Sequence, residues 1–225
     1  MCWSPSADAV AGGVVTSIGV VTLLGARCGR DRVLGSLPLV LGLHQLVEAV
    51  VWLDVQGRVS TGVGRAAIDV WSVIAFVVLP TLVPAGVLVS AWPEGHRRLS
   101  VCLACGIAVS AVMGADVAGR QVTASAKGHV LDYGLGIQAS WLLIAGYLVA
   151  TLAAPLLSPD RFVRWFGTAA TVGAAGCAAA WRLAFASTWC AYAAVLSVML
   201  LVWVRRVRAD ASDEVSDRLS AHVAS

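Results

Sequence analysis

The chain has 225 residues, 59% hydrophobic and 13% charged, with a formal net charge of +3 and a mean hydropathy of +0.82. Soluble domains carry roughly 45–50% apolar and about 25% charged residues, so this balance excludes a soluble globular enzyme, and no basic, aromatic-rich surface points to nucleic acid. It fits an all-α polytopic membrane protein, in which each helix needs about 20 apolar residues to cross a hydrocarbon core of about 30 Å.

The opening MCWSPSADA lacks the basic n-region of a cleavable signal peptide, and the apolar run behind it outlasts an h-region, so the first helix is expected to stay. Seven apolar runs follow in chain order, at about 9–26, 35–53, 67–92, 99–116, 132–157, 163–183 and 187–204. They lack the alternating polarity of barrel strands, and backbone facing lipid must hydrogen-bond within its own segment, so a seven-transmembrane-helix bundle is expected. The 22 glycines suit close helix packing. Arg27, Arg30 and Arg32 follow the first run, Arg97 and Arg98 the third, Arg161 and Arg164 the fifth, and Arg205, Arg206 and Arg208 the seventh. The opposite connectors hold only Arg58, Arg65, Arg120 and Lys127. The positive-inside rule therefore places the N-terminus outside and the C-terminus inside. Residues 1–208 form one transmembrane domain, and 209–225 a polar cytoplasmic tail.

Span two carries GLHQLVEAVVW at 42–52, where His44, Glu48 and Trp52 recur every four residues and share one helix face. Gln45 lies beside them. Glu48 falls in the outer half of the span, too deep for a short side chain to reach water easily, and an intramembrane acid is a functional candidate by default. Span three runs back from the outside, so Asp69 and Trp71 start near the same level, and its Pro80 and Pro84 should kink it and free carbonyls for neighbouring helices to satisfy. The CLAC string at 102–105 lies inside span four, where its thiols read as small packing groups. Asp132 and Tyr133 open span five, and Trp181, Arg182, Trp189 and Cys190 bracket the turn between spans six and seven, again at the outer level. Asp132 also reads as an ordinary interfacial residue, and Arg182 either snorkels to the boundary or neutralises Asp69. Trp52, Trp71, Trp181 and Trp189 read either as an outer interfacial belt or as the walls of a pocket around Glu48. Trp203 lies at the inner end, where a belt suffices. Cys2 and Cys190 share an oxidising compartment, which permits a disulfide or two free thiols. No metal is expected, because a site would want a further His or Cys at that depth and the remaining histidines, His96, His129 and His222, do not share the depth of His44.

Three strings, MCWSPSADA, GLHQLVEAVVWL and STWCAYAAVLS, resemble an uncharacterised family of bacterial multipass membrane proteins that begins Met-Cys-Phe-Ser, carries Gln-Gln-x-x-Glu-Gly before a Trp, and has a late Trp-Cys pair. Trp3, His44 and Ala49 depart from that pattern, where the family has Phe, Gln and Gly. The resemblance implies that Cys2, Gln45, Glu48, Trp52, Trp189 and Cys190 belong together, and that the chain resides in the bacterial cytoplasmic membrane. In size, topology and residue type the chain also looks like membrane-bound terpene cyclases of meroterpenoid and indole-sesquiterpenoid pathways, a likeness of architecture alone.

Two classes of function follow as expectations. The first is an enzyme that cyclises a lipophilic, prenylated small molecule from within the bilayer. Glu48 is then the general acid, Asp69 or Asp132 tunes or reprotonates it, and the tryptophans with His44, Gln45 and Arg182 line the substrate site. Such chemistry calls for no cofactor, and the chain has no nucleotide-binding fingerprint. The second is a small-molecule or ion-coupled transporter with Glu48 and Arg182 as an exchangeable pair, or an accessory protein whose polar cluster only fixes packing.

Overall fold

A computed structural model describes residues 4–26, 28–119, 122–127, 130–134, 141–180, 192–207 and 209. Its helical segments are α1 (Pro5–Gly25), α2 (Gly29–Val55, interrupted by a turn at Ser36), α3 (Thr61–Ala91), α4 (His96–Gly119), α5 (Trp141–Leu156), α6 (Arg161–Ala180) and α7 (192–207). Among them α1, α2, α3 and α4 are long and apolar enough to cross a membrane, whereas α5 is apolar but shorter. Between α4 and α5 runs an antiparallel hairpin of β1 (Thr123–Lys127) and β2 (Val130–Gly134), in register Thr123 with Gly134 through Lys127 with Val130.

The hairpin corrects the expected course of span five. Asp132 and Tyr133 lie on β2, and the helix begins only at Trp141. The physical reason is visible in TASAKGHVLDYG, residues 123–134, which alternates small polar and apolar residues around a glycine and so carries the period of a strand.

α1 begins with Ser4, whose hydroxyl accepts from the Ala7 N–H at 3.2 Å, followed by Pro5 in the first turn. Its most extensive contact is with α2. Gly12, Gly19 and Gly42 sit at that crossing, where a Cβ on Gly19 would overlap the Leu39 backbone and one on Gly42 the Thr16 backbone. Small residues thus bring the two main chains together, as is usual for helices in lipid. The pairs 12 with 46, 16 with 42 and 19 with 39 define an antiparallel register that sets residue 8 level with residue 50.

The prolines of α3 act as expected from their chemistry. Residues Ile74–Val78 form a π-helical turn. In its i to i+5 pattern the donor to the Ala75 carbonyl is residue 80, a proline without an N–H. The Tyr147 hydroxyl of α5 supplies that bond at 3.0 Å, and the Ser110 hydroxyl of α4 donates to the Val77 carbonyl at 2.9 Å. Pro84 likewise leaves the Pro80 carbonyl without its helical donor, and that oxygen lies against Gly106, where a Cβ would displace it. Ser110→Ala is expected to lower stability by about 1–3 kcal/mol, read as a drop in thermal midpoint in detergent, because it strips both the Val77 carbonyl and Thr81 Oγ1 of a partner 2.9 and 2.7 Å away.

Two apolar clusters form. The larger joins Leu34, Val87, Leu99, Phe166, Leu200 and Trp203, at the end where the arginine-rich connectors lie. Trp203 is buried there rather than interfacial, and its indole N–H donates to Asp160 Oδ2 at 2.9 Å. Asp160 also caps α6 by accepting from the N–H of Phe162 and Val163. The smaller cluster joins Val51 and Trp52 of α2 with Ala67 and Ile68 of α3 and with Val122 and Leu131 of the hairpin.

Candidate functional site

The functional candidates of span two lie on the buried face of α2: Glu48 is 1% exposed, Gln45 2%, Trp52 4% and His44 7%. The four-residue spacing of His44, Glu48 and Trp52 puts all three toward α3 and the hairpin. α3 supplies Trp71, also buried, and β2 supplies Tyr133. The His44 and Tyr133 rings both stack on Trp71, with centroids 5.0 Å and 3.7 Å away, and Phe76 meets Trp71 edge-on at 6.0 Å. Tyr133 donates its hydroxyl to Glu48 Oε1 at 3.4 Å. That bond is long, since hydroxyl donors ordinarily sit about 2.7–2.8 Å from oxygen.

Strand alternation explains why the hairpin reaches the acid. Leu131 and Tyr133 are two apart, so they share one face, and both enter the cluster around Trp52. Arg65 of α3 holds the strand's approach by donating from Nη1 to the Val122 carbonyl at 2.9 Å.

The cluster also contains polar atoms that find no partner among the described residues: His44 Nδ1 and the indole N–H groups of Trp52 and Trp71. Each such group buried without a hydrogen bond costs about 1–3 kcal/mol. Two donors and an imidazole nitrogen thus lie unused in the same cluster as a buried carboxyl.

Asp69 does not join this cluster. Two residues along a helix turn it about 200° from Trp71, and it is half-exposed and paired with Arg65, Nη2 to Oδ1 at 2.8 Å. Arg182, the partner expected for it from the sequence, lies outside the described residues. Asp132 pairs with Ser125 in the strand ladder, and its side chain lies outside the described residues. Trp181, Arg182, Trp189, Cys2 and Cys190 also lie outside them. Of the CLAC cysteines, Cys102 is buried and Cys105 donates weakly to the Gly146 carbonyl at 3.5 Å, as packing groups do.

Asp8 escaped the reading of the sequence. It is 1% exposed in the first turn of α1. The register of α1 on α2 sets it level with Val50, about 3 Å along the axis from Glu48. The signal was present in the spacing Asp8, Gly12, Val15, Gly19, Thr22, a stripe of mostly small residues whose buried face carries the acid inward.

No curated protein and no solved structure matches the chain. A family model does, over residues 1–215, taking in the described helical segments, the hairpin and the Glu48 cluster together. The chain belongs to that family, which is described as a family of unknown function (DUF6629).

Proposed function

We propose that this chain is a seven-span protein of the bacterial cytoplasmic membrane, N-terminus outside, that carries out proton-initiated cyclisation of a lipophilic, prenylated small molecule. The observation that carries the reading is the buried Glu48 carboxyl facing the hydroxyl of Tyr133, whose ring stacks with that of His44 on Trp71. In this reading Glu48 gives its proton to an olefinic carbon or epoxide oxygen of the prenyl chain. The resulting cation is captured by the π electrons of the next double bond, which closes the ring. Loss of a proton from the final cation to the Glu48 carboxylate restores the acid, so substrate and product are isomers and no co-reactant is consumed. Faces of indole and phenol rings stabilise positive charge in dry surroundings, and the spare indole N–H groups of Trp52 and Trp71 give a polar ring substituent on the substrate something to bind.

The test is product formation by the purified protein in lipid vesicles, given prenylated phenols or indoles and their terminal epoxides, with products separated by mass spectrometry. Tyr133→Phe is expected to lower stability by about 0.5–1.5 kcal/mol and to slow product formation less than any change at Glu48 does, because the hydroxyl orients the acid rather than supplying the proton. Equal turnover by Tyr133→Phe and wild type removes the phenol from the mechanism.

A further inference from the structure

A second site lies on the other side of α3. Arg65, Asp69, Val73 and Val77 follow one another at four-residue intervals, and with Gly114 and Val117 of α4 they line an open groove of about 470 Å³. Ligand sites commonly occupy roughly 300–1,000 Å³. The groove is polar at the hairpin end and apolar below. From residue 65 to residue 77 it spans about 18 Å, close to half of a hydrocarbon core of about 30 Å.

The polar end is a matched pair of charges with capacity to spare. Arg65 directs Nε and Nη2 to the Asp69 carboxylate, at 3.2 and 2.8 Å, and one Nη1 hydrogen to the Val122 carbonyl. A guanidinium has five N–H donors, so two are left over among the described contacts. Both side chains are partly exposed, at 38% and 46%. A positive and a negative group side by side are complementary to a zwitterion, and less so to an anion, which Asp69 would repel.

We propose that this groove binds a zwitterionic phospholipid of the phosphatidylethanolamine type, its phosphate on Arg65, its ammonium on Asp69, and one acyl chain along Val73, Val77 and Val117. The site rests on the reading that the long helices cross a bilayer, and is independent of the chemistry proposed for Glu48. Gly114 keeps the apolar part open, since a Cβ there would meet Val77 Cγ2 at 3.1 Å.

Native mass spectrometry of the full chain in detergent tests this, with phosphatidylethanolamine and phosphatidylglycerol of identical acyl chains as probes. Wild type is expected to retain the ethanolamine lipid about tenfold better, the ratio that one charge-assisted hydrogen bond commonly supplies. Asp69→Asn is expected to reverse the preference toward phosphatidylglycerol. Gly114→Val fills the groove without touching the ion pair and is expected to lose retention of both lipids while the thermal midpoint stays within a few degrees of wild type. Equal retention of the two lipids by wild type, or unchanged retention in Gly114→Val, overturns the site and leaves only unselective boundary lipid. A chain that stays dispersed without detergent overturns the membrane reading and this site with it.

Discussion

Glu48→Gln is expected to reduce cyclisation by about 10²- to 10⁴-fold, the usual contribution of a positioned general acid, with little change in thermal midpoint. Glutamine keeps the length and shape of the side chain and keeps an oxygen to accept from Tyr133, but has no proton that a carbon or ether oxygen can take. Glu48→Asp retains the acid while withdrawing it by one methylene, and is expected to recover part of the rate. The measurement is product yield per folded protein in vesicles, with the midpoint of the same preparation as control. The opposite pattern, full activity in Glu48→Gln or collapse of the folded protein in both variants, assigns Glu48 to packing and ends the catalytic reading.

The second large effect is on the α1 and α2 crossing. Gly42→Val places a branched side chain against the Thr16 backbone, which has no rotamer by which to yield. Overpacking of this kind costs about 3 kcal/mol, equivalent to a fall of roughly 10 °C in the midpoint of a chain this long. Gly13→Val is the control, because a Cβ there meets nothing within 4 Å, and it is expected to be neutral. A midpoint for Gly42→Val as high as that of Gly13→Val would show that the helices do not approach as closely as described.

How much of this was legible in the sequence depended on how local the signal was. The four-residue spacing of His44, Glu48 and Trp52 is a property of one helix, and the buried face of α2 carries all three. The freed carbonyls of the proline-bearing span were equally readable, although the donors, Tyr147 and Ser110, come from other helices and could not be named. Depth along a span proved a poorer guide than azimuth around it: Asp69 and Trp71 share a level but face apart, and an arginine one turn earlier claims the aspartate. The hairpin was hidden because a stretch of small residues adds to the apolar average of the next span even where its period is that of a strand. Asp8 was hidden for a related reason, since an acid near the start of a first helix reads as a solvated cap until the glycines behind it are seen to draw the helix inward.

The glycine contact between α1 and α2 makes the surroundings of the acid unequal. On one flank the separation is fixed by main chain lying on main chain, which side-chain motion cannot change. On the other flank stand rings and a two-stranded ribbon, held by stacking and by single hydrogen bonds. Among the described residues the ribbon is thus the flank that yields more readily, and hydrogen exchange should find the amides of 123–127 and 130–134 opening long before those of 37–50.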